Sequence, residues 1–345
     1  MRHLIIFESP FQLITSLQFI EFTAARKVTI VFIETKNSKN SFQVEKLVAL
    51  VLNKFHFIDY EYKVVRREGR RVKFAFNLLR CCFYLKQFKF DDILTGDVRS
   101  IYQRFIFQNT NFFRLVLVDD GIALINSIKV IDSFECYFKH SGSKVERFLN
   151  LLLPSITIGN YFVFSILPFH ELKSVSLSLV EDNYKQNFFN CSLFPVMEDE
   201  HLNKSMYDCI FIGGAIVQAG FIEENVYIEL VCKLVERFFC GAYKKVLYLP
   251  HRRESLIQVS AIKNKLNCDV LHLESPVELE FMSKNIDGHG FVTFTSAALF
   301  TLNKIDPSKK FYYSKIEPSL LREDCHSSFF RMYSLFDSFS EEIKL

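Results

Sequence analysis

The sequence contains a pair of adjacent carboxylates that could carry out acid–base chemistry. Asp119 and Asp120 follow the apolar run 115–118 and precede Gly121. A carboxylate at the end of a buried strand can act as a general base, and two neighbouring carboxylates can hold each other's pKa values apart so that one accepts a proton near neutral pH. A simple Asp-Gly turn with a helix cap would explain the same three residues.

A cluster of cationic side chains occurs in the second half of the chain. His251, Arg252 and Arg253 follow the predicted strand 245–249 and precede a predicted helix. Cations beside the N-terminal amides of a helix suit a phosphate group. His251 could donate a proton or a hydrogen bond to a leaving phosphate while an arginine screens its charge. A surface loop in which Glu254 caps the helix and pairs with an arginine would explain the segment equally well.

Two further residue pairs and one single residue could bind a nucleotide. Gly213 and Gly214 would let the backbone approach a ligand closely, although neither a dinucleotide-binding glycine fingerprint nor a phosphate-loop lysine accompanies them. Glu278 could accept hydrogen bonds from a ribose, or it could interact only with the dipole of its helix. Thr295 and Ser296 could bind the same phosphate through hydroxyls and backbone amides, or they could form an ordinary N-cap.

The elements that position these residues alternate between strands and helices, which is typical of βαβ units and a largely parallel sheet. In the first half we predict strands at 3–7, 27–34, 57–63, 92–95 and 115–118, helices at 11–25 and 41–54, and another helix within 69–90. In the second half we predict strands at 209–212, 245–249, 270–273, 290–295 and 310–313, and helices at 223–239, 255–265, 276–283 and 297–302. The candidate residues follow predicted strands, at the sheet edge where open α/β sheets bind ligands.

The length of the chain predicts two domains. Its 345 residues suit two α/β domains of about 150 residues each. We predict an N-terminal Rossmann-like domain at 1–170, a polar and turn-rich linker at 171–205, a second Rossmann-like domain at 206–325 and a C-terminal helical tail at 326–345. The predicted fold class is α/β, with the two domains facing a central cleft.

Composition excludes several classes of protein. The formal net charge of +3 and the absence of a recognised motif argue against nucleic-acid binding. Nine cysteines without metal-ligand spacing predict reduced thiols in a cytoplasmic protein, and we expect no metal. The N-terminus resembles a first strand and not a signal peptide, and no apolar run is long enough to span a membrane.

Basic and aromatic residues alternate over residues 63–90. This stretch could contact an anionic membrane surface, which would make the protein peripheral at the inner membrane. A solvated helix face with an aromatic inner stripe is the interpretation that we favour from the sequence.

Taken in order, these motifs resemble bacterial sialyltransferases of the two-domain GT-B fold, closest to glycosyltransferase family 52 and related capsule, lipooligosaccharide and O-antigen enzymes. That group has an acidic-acidic-Gly motif, a His-Pro motif and a late Ser/Thr pair, which correspond here to residues 119–121, His251 and residues 295–296. The nucleotide-contacting glutamate would be Glu278. In the opening segment FESPFQL, the residues expected to face the cleft are Ser9, Pro10 and Gln12. Arg252 stands where the family has proline.

The resemblance implies an inverting, metal-independent transfer of sialic acid or a related nonulosonic acid from a CMP donor to a hydroxyl of a surface glycan, which could be lipid-linked. Asp120 would deprotonate the acceptor, with Asp119 as the alternative base. The departing CMP phosphate would be stabilised by His251, helped by Thr295 and Ser296. No cofactor is implied, and a homo-oligomer is possible.

Two alternatives remain at this point. The chain could be a GT-B transferase that uses another CMP-ulosonate or a UDP- or GDP-hexose. It could also be an inactive binding protein in the assembly of a surface polysaccharide.

Overall fold

The structure is a computed structural model, which describes residues 1–34, 38–54, 59–66, 71–119, 124, 161–165, 188–190, 207–239, 245–282 and 286–345. The chain divides into two compact units, Met1–Phe194 and Pro195–Leu345. Within the described residues, no helix is both long and apolar enough to cross a membrane.

Unit 1 (Met1–Phe194) is built on a seven-stranded sheet in which every described strand pair is parallel. Its strands are β1 (Arg2–Phe7), β2 (Lys27–Ile33), β3 (Asp59–Val65), β4 (Lys89–Thr95), β5 (Asn111–Val118), β6 (Tyr161–Ser165) and β7 (Phe188–Asn190), in the spatial order β3-β2-β1-β4-β5-β6-β7. Its described helices are α1 (Pro10–Phe22), α2 (Ser38–Lys54), α3 (Arg71–Leu85) and α4 (Ile101–Gln108).

Unit 2 (Pro195–Leu345) repeats this arrangement with a six-stranded parallel sheet. Its strands are β8 (Tyr207–Ile212), β9 (Val246–Leu249), β10 (Asp269–Val270), β11 (Gly288–Thr293), β12 (Lys310–Tyr313) and β13 (Glu341–Glu342), in the order β10-β9-β8-β11-β12-β13. Its helices are α5 (Glu224–Phe239), α6 (Leu256–Leu266), α7 (Val277–Met282), α8 (Ala298–Ile305) and α9 (His326–Phe336). Two short 3₁₀ turns, Pro318–Leu320 and Glu323–Cys325, precede α9.

The central strands of both sheets are buried on both faces. Leu4 and Ile5 in β1, and Ile210 and Phe211 in β8, have no exposed surface. Continuous apolar strands of this kind are typical of a parallel sheet covered by helices on each side. The strand order reverses between β1 and β4 in unit 1 and between β8 and β11 in unit 2, and ligands of open α/β sheets bind at such switch points.

Several elements differ from the sequence-based prediction. The strand predicted at 270–273 is only two residues long, at Asp269–Val270, and β7 lies within the segment predicted as a linker. The C-terminal segment is not a simple helical tail, because α9 is followed by β13, which pairs with β12. The N–H of Ile343 also donates to the carbonyl of Tyr313 at 2.8 Å. The end of the chain is therefore part of the unit 2 sheet.

Candidate active site

Three loops at the carboxyl ends of neighbouring strands form the candidate site in unit 2. Gly213 and Gly214 follow β8, His251 follows β9, and Thr295 and Ser296 follow β11. Because β8 lies between β9 and β11, these loops share one edge of the sheet. The structure thus brings together residues that the sequence separates by more than eighty positions.

The two glycines serve close packing within the unit. A methyl group at Gly214 would lie 2.5 Å from the Thr295 hydroxyl oxygen, and one at Gly213 would overlap the Glu254 carboxylate. The protein's own side chains therefore fill the space beside each Cα. The expectation that the backbone of these glycines approaches a ligand closely stays a prediction.

Glu254 is a buried member of the site, and it does not pair with an arginine on the surface as one interpretation of the sequence suggested. Its side chain accepts hydrogen bonds from the Tyr248 hydroxyl at 2.6 Å and from the N–H of His251 at 2.9 Å. The helix cap is Ser255, whose hydroxyl accepts from the N–H of Gln258 at 3.1 Å. Burial raises the pKa of Glu254 to about 7, although its bonds to Tyr248 and His251 act in the opposite direction.

A buried network extends from Glu254. Gln258 donates to the Glu254 carboxylate at 3.2 Å and accepts from Gln218 at 2.7 Å. The Tyr227 hydroxyl accepts from the N–H of Gly214 at 3.3 Å and is hydrogen-bonded to the Tyr248 hydroxyl. Sequence analysis missed this network. One feature of the sequence could have indicated it: polar or hydroxyl-bearing residues occur on these elements between apolar residues.

His251 has a defined hydrogen-bonding state. Its Nδ1 accepts the N–H of Arg253 at 3.1 Å, so the neutral ring carries its proton on Nε2. Burial, together with the positive charges of Arg252 and Arg253, lowers the pKa of His251 to about 3. The imidazole is therefore a neutral hydrogen-bond donor through Nε2 at pH 7.

Glu278 and Arg252 are electrostatically coupled. Glu278 is buried, and its carboxylate accepts from the Thr301 hydroxyl on α8 at 2.8 Å. Burial raises its pKa, while the bond from Thr301 and the positive charge of Arg252 lower it. Arg252 is partly buried, whereas Arg253 is exposed. Of the two arginines, Arg252 is thus the one whose charge acts on the predicted nucleotide-binding glutamate.

The Thr295–Ser296 pair does not cap α8, because the N-cap position is Ala297 and makes no side-chain cap bond. The backbone amides of Thr295 and Ser296 both donate to the Thr293 hydroxyl, at 3.2 and 3.1 Å. This bonding contradicts the suggestion that these two amides are available to a phosphate. Their hydroxyls remain the candidate phosphate contacts.

The candidate residues in unit 1 lie around the start of α1. Ser9 is the N-cap of α1 and accepts from the N–H of Gln12 at 3.3 Å. Pro10 and Gln12 are buried, and the Gln12 amide oxygen accepts from the N–H of Glu8 at 2.8 Å. Both side chains are thus largely covered, and the expectation that Ser9, Pro10 and Gln12 face the cleft stays a prediction.

Sequence analysis also missed a polar cluster at the switch point between β1 and β4. The Glu8 carboxylate accepts from the Ser100 hydroxyl and from the amide of Gln103, the latter at 3.3 Å. Close by in sequence, Arg99 binds both carboxylate oxygens of Asp97, at 2.8 and 3.0 Å. These side chains come from the loops after β1 and β4 and from the first turn of α4, at the carboxyl edge of the sheet.

The acidic pair lies partly outside the described residues. Asp119, directly after β5, is 1% exposed, and its carbonyl accepts from the Thr15 hydroxyl at 3.1 Å. Asp120 and Gly121 are outside the described part of the chain. In the parts of the chain that the structure describes, no group of three or more His, Cys, Asp or Glu side chains is arranged to hold a metal ion.

Comparison with known proteins identifies the fold. A crystal structure of the GT-B domain of a Photobacterium damselae sialyltransferase matches with a TM-score of 0.55 at 11% identity, covering 100% of both chains. The chain has the GT-B fold. UDP-N-acetylglucosamine 2-epimerase of Listeria monocytogenes matches with a TM-score of 0.55 at 10% identity, covering 91% of this chain and 78% of that one.

A third match is the MnaA protein of Staphylococcus aureus in complex with UDP, with a TM-score of 0.53 at 12% identity over 90% of this chain and 79% of that one. No protein-family model and no curated protein matches the sequence. The comparisons thus establish the two-domain GT-B architecture, and the functional assignment depends on the site itself.

Proposed function

We propose that the protein is a glycosyltransferase that moves sialic acid or a related nonulosonic acid from a CMP donor to a hydroxyl of a surface glycan, as its resemblance to family 52 implies. The observation that carries this proposal is the protonation state and tautomer of the His251 imidazole. A neutral imidazole with its proton on Nε2, beside Arg252 and the hydroxyls of Thr295 and Ser296, suits the phosphate of a departing nucleotide.

In this mechanism His251 stabilises charge without transferring a proton. Since its pKa is about 3 in the free protein, it would donate a hydrogen bond to a phosphate oxygen as the bond to the anomeric carbon breaks. The guanidinium of Arg252 would compensate the remaining charge. A CMP phosphate departs as a stable anion, so no general acid and no metal ion need assist it.

The acceptor hydroxyl would lose its proton to Asp120. Asp119 is 1% exposed, which favours Asp120 over Asp119 as the base. Attack of the acceptor oxygen on the face opposite the leaving phosphate would invert the anomeric configuration.

A transferase or epimerase that uses a UDP-sugar is the second candidate. The likeness to UDP-N-acetylglucosamine 2-epimerases is as great as that to the sialyltransferase, and one of the matched structures contains UDP. The identity of the nucleotide distinguishes the two candidates.

The test is thermal unfolding with CMP, CDP, UDP or GDP in the presence of EDTA, followed by an assay of CMP release from CMP-sialic acid with a glycan acceptor. We expect CMP to raise the unfolding midpoint most, because a ligand that binds only the folded state stabilises it. His251→Ala should lower turnover by at least about a hundredfold, since removing one charge-stabilising donor typically costs that much. Asp120→Ala should abolish turnover and leave CMP binding intact.

Two matched variants control for general effects of these substitutions. His289→Ala changes an exposed histidine on β11, and Asp59→Ala changes an exposed aspartate at the start of β3; both should retain full turnover. A larger shift with UDP would favour the second candidate. No shift with any nucleotide would indicate a binding protein without transferase activity.

A further inference from the structure

The outward face of α3 exposes large apolar side chains. Phe76 and Phe83 are 66% and 69% exposed, and Leu79 is 40% exposed. Their spacing of i, i+3 and i+7 places them in one stripe along the helix. Solvent exposure of two phenylalanines in one stripe is unfavourable for an isolated protein, so this face is suited to a contact.

The opposite face of α3 already supplies the packing that the helix needs. The side chains that face the unit 1 core are buried: Phe74, Leu78, Cys81, Cys82 and Leu85. The sequence favoured a helix whose aromatic residues line only the inner face. That expectation is wrong at Phe76 and Phe83, which point outwards.

The charged residues of α3 and of the segment that follows it are all basic. Residues 71–89 contain five basic residues and no Asp or Glu: Arg71, Lys73, Arg80, Lys86 and Lys89. The side chains of Lys73, Arg80 and Lys86 are exposed. At about 100° of rotation per residue, Lys73 and Arg80 lie on one side of the apolar stripe and Lys86 on the other. Cations thus border the stripe along both edges.

We propose that this face of α3 is a docking surface for an anionic lipid bilayer. The helix would lie parallel to the membrane plane, with Phe76 and Phe83 among the headgroups and the flanking cations near lipid phosphates. An apolar stripe with Lys73 and Arg80 on one side and Lys86 on the other fits a continuous negative surface with an apolar interior. A nucleic acid would match the charge but would leave the stripe exposed to water.

The proposal is independent of the transferase activity and concerns where the protein acts. α3 has 15 residues, a length of about 22 Å, which allows the stripe to contact several lipid headgroups at once. An enzyme held in this way would meet acceptors that are themselves anchored in a membrane.

Sedimentation with vesicles tests the proposal on the full chain. We expect the protein to pellet with vesicles of phosphatidylcholine mixed with phosphatidylglycerol at low salt, to pellet weakly with pure phosphatidylcholine, and to dissociate as salt is added. The double variants Phe76→Ser/Phe83→Ser and Lys73→Glu/Arg80→Glu should each reduce partitioning at least about tenfold. All four positions are exposed, so we expect unchanged circular dichroism spectra and unfolding midpoints.

Matched substitutions elsewhere on the surface serve as controls. Phe330→Ser replaces a phenylalanine that is 74% exposed on α9, and Lys233→Glu reverses an exposed charge on α5; both should bind vesicles like the wild type. Failure of the wild-type protein to bind anionic vesicles at low salt would overturn the proposal. Equal loss in the control variants would also overturn it. So would a change from dimer to monomer in Phe76→Ser/Phe83→Ser, because the stripe would then be a contact between copies.

Discussion

At the scale of single residues, the unit 2 site joins two ionisable groups whose pKa values are shifted in opposite ways by burial. Burial raises the pKa of Glu254 to about 7 and lowers that of His251 to about 3. Both shifts favour the uncharged form, as expected when charge is moved out of water. The backbone N–H of His251 donates to the Glu254 carboxylate, so the carboxylate helps to fix the backbone that carries the imidazole.

These shifts predict opposite contributions to the pH dependence of stability. Between pH 4.5 and about 7, folded Glu254 holds a proton that the unfolded chain releases, so the free energy of unfolding falls as pH rises. Between about pH 3 and 6.5, the unfolded chain holds a proton that folded His251 lacks, so the free energy of unfolding rises with pH. The two contributions oppose each other between pH 4.5 and 6.5.

Urea unfolding at a series of pH values can separate them. Relative to the wild type, Glu254→Gln should show a free energy of unfolding that rises with pH between 4.5 and 6.5, by up to about 1.4 kcal/mol per pH unit. His251→Gln should show the opposite slope. The double variant should run parallel to the wild type, since both contributions are removed. Equal slopes in all four proteins would show that neither group has the assigned shift.

The sequence predicted where the candidate residues lie relative to the strands better than it predicted their contacts. His251, Arg252 and Glu278 could be chosen because they follow strands and carry suitable chemistry. The buried state of Glu254 could not be recognised, because a glutamate between arginines and a helix start is normally exposed. The role of Gly213 and Gly214 was likewise hidden, since it depends on Thr295 and Glu254 side chains that come from other strand ends.

At the scale of elements, the periodicity of apolar residues was sufficient to predict most strands and helices of the βαβ core. The shortest strands depend on pairing with a neighbouring strand and could not be predicted in this way. Strands such as β2 and β12 have clear apolar runs, and their predicted bounds agree with the structure within about one residue. β7 and β13 have three and two residues, too few for a periodic pattern, and exist because a neighbouring strand pairs with them. α4 was missed because its eight residues are too few for a clear helical period, although apolar and polar positions do alternate along it.

Substitutions in the C-terminal helix α9 test how much the end of the chain contributes to the stability of unit 2. Phe336 has no exposed surface, whereas Phe330 on the same helix is 74% exposed. Phe336→Ala should therefore lower the free energy of unfolding by about 3–5 kcal/mol, because it leaves a cavity in the core. Phe330→Ala should change it by less than about 0.5 kcal/mol. Chemical denaturation of the two variants measures both values.

The same comparison can contradict the assignment of α9. If residues 326–345 were only an appended tail, both alanine variants would unfold like the wild type. The paired strands β12 and β13 and the bond from Ile343 to Tyr313 argue that they will not.

At the scale of the whole molecule, two units with the same central strand order carry different sets of polar groups at their sheet edges. Unit 1 presents carboxylates and amides around Glu8 and Gln103, and unit 2 presents His251, Arg252 and hydroxyls. Arg252, the neutral imidazole of His251 and the hydroxyls suit a nucleotide phosphate, whereas in the described cluster of unit 1 Arg99 is paired with Asp97. A division of labour between a nucleotide-binding unit 2 and an acceptor-binding unit 1 stays a prediction.

Calorimetry of the full chain tests that division. Because each unit has its own sheet and buried core, we expect two unfolding transitions. Phe336→Ala should lower only the transition of unit 2, and Leu94→Ala, which removes a fully buried side chain of β4, should lower only that of unit 1. CMP should then raise the transition that Phe336→Ala lowers, by several degrees at saturating concentration. If CMP instead raised the transition sensitive to Leu94→Ala, the nucleotide would bind unit 1, and the roles proposed for His251 and Arg252 would be wrong.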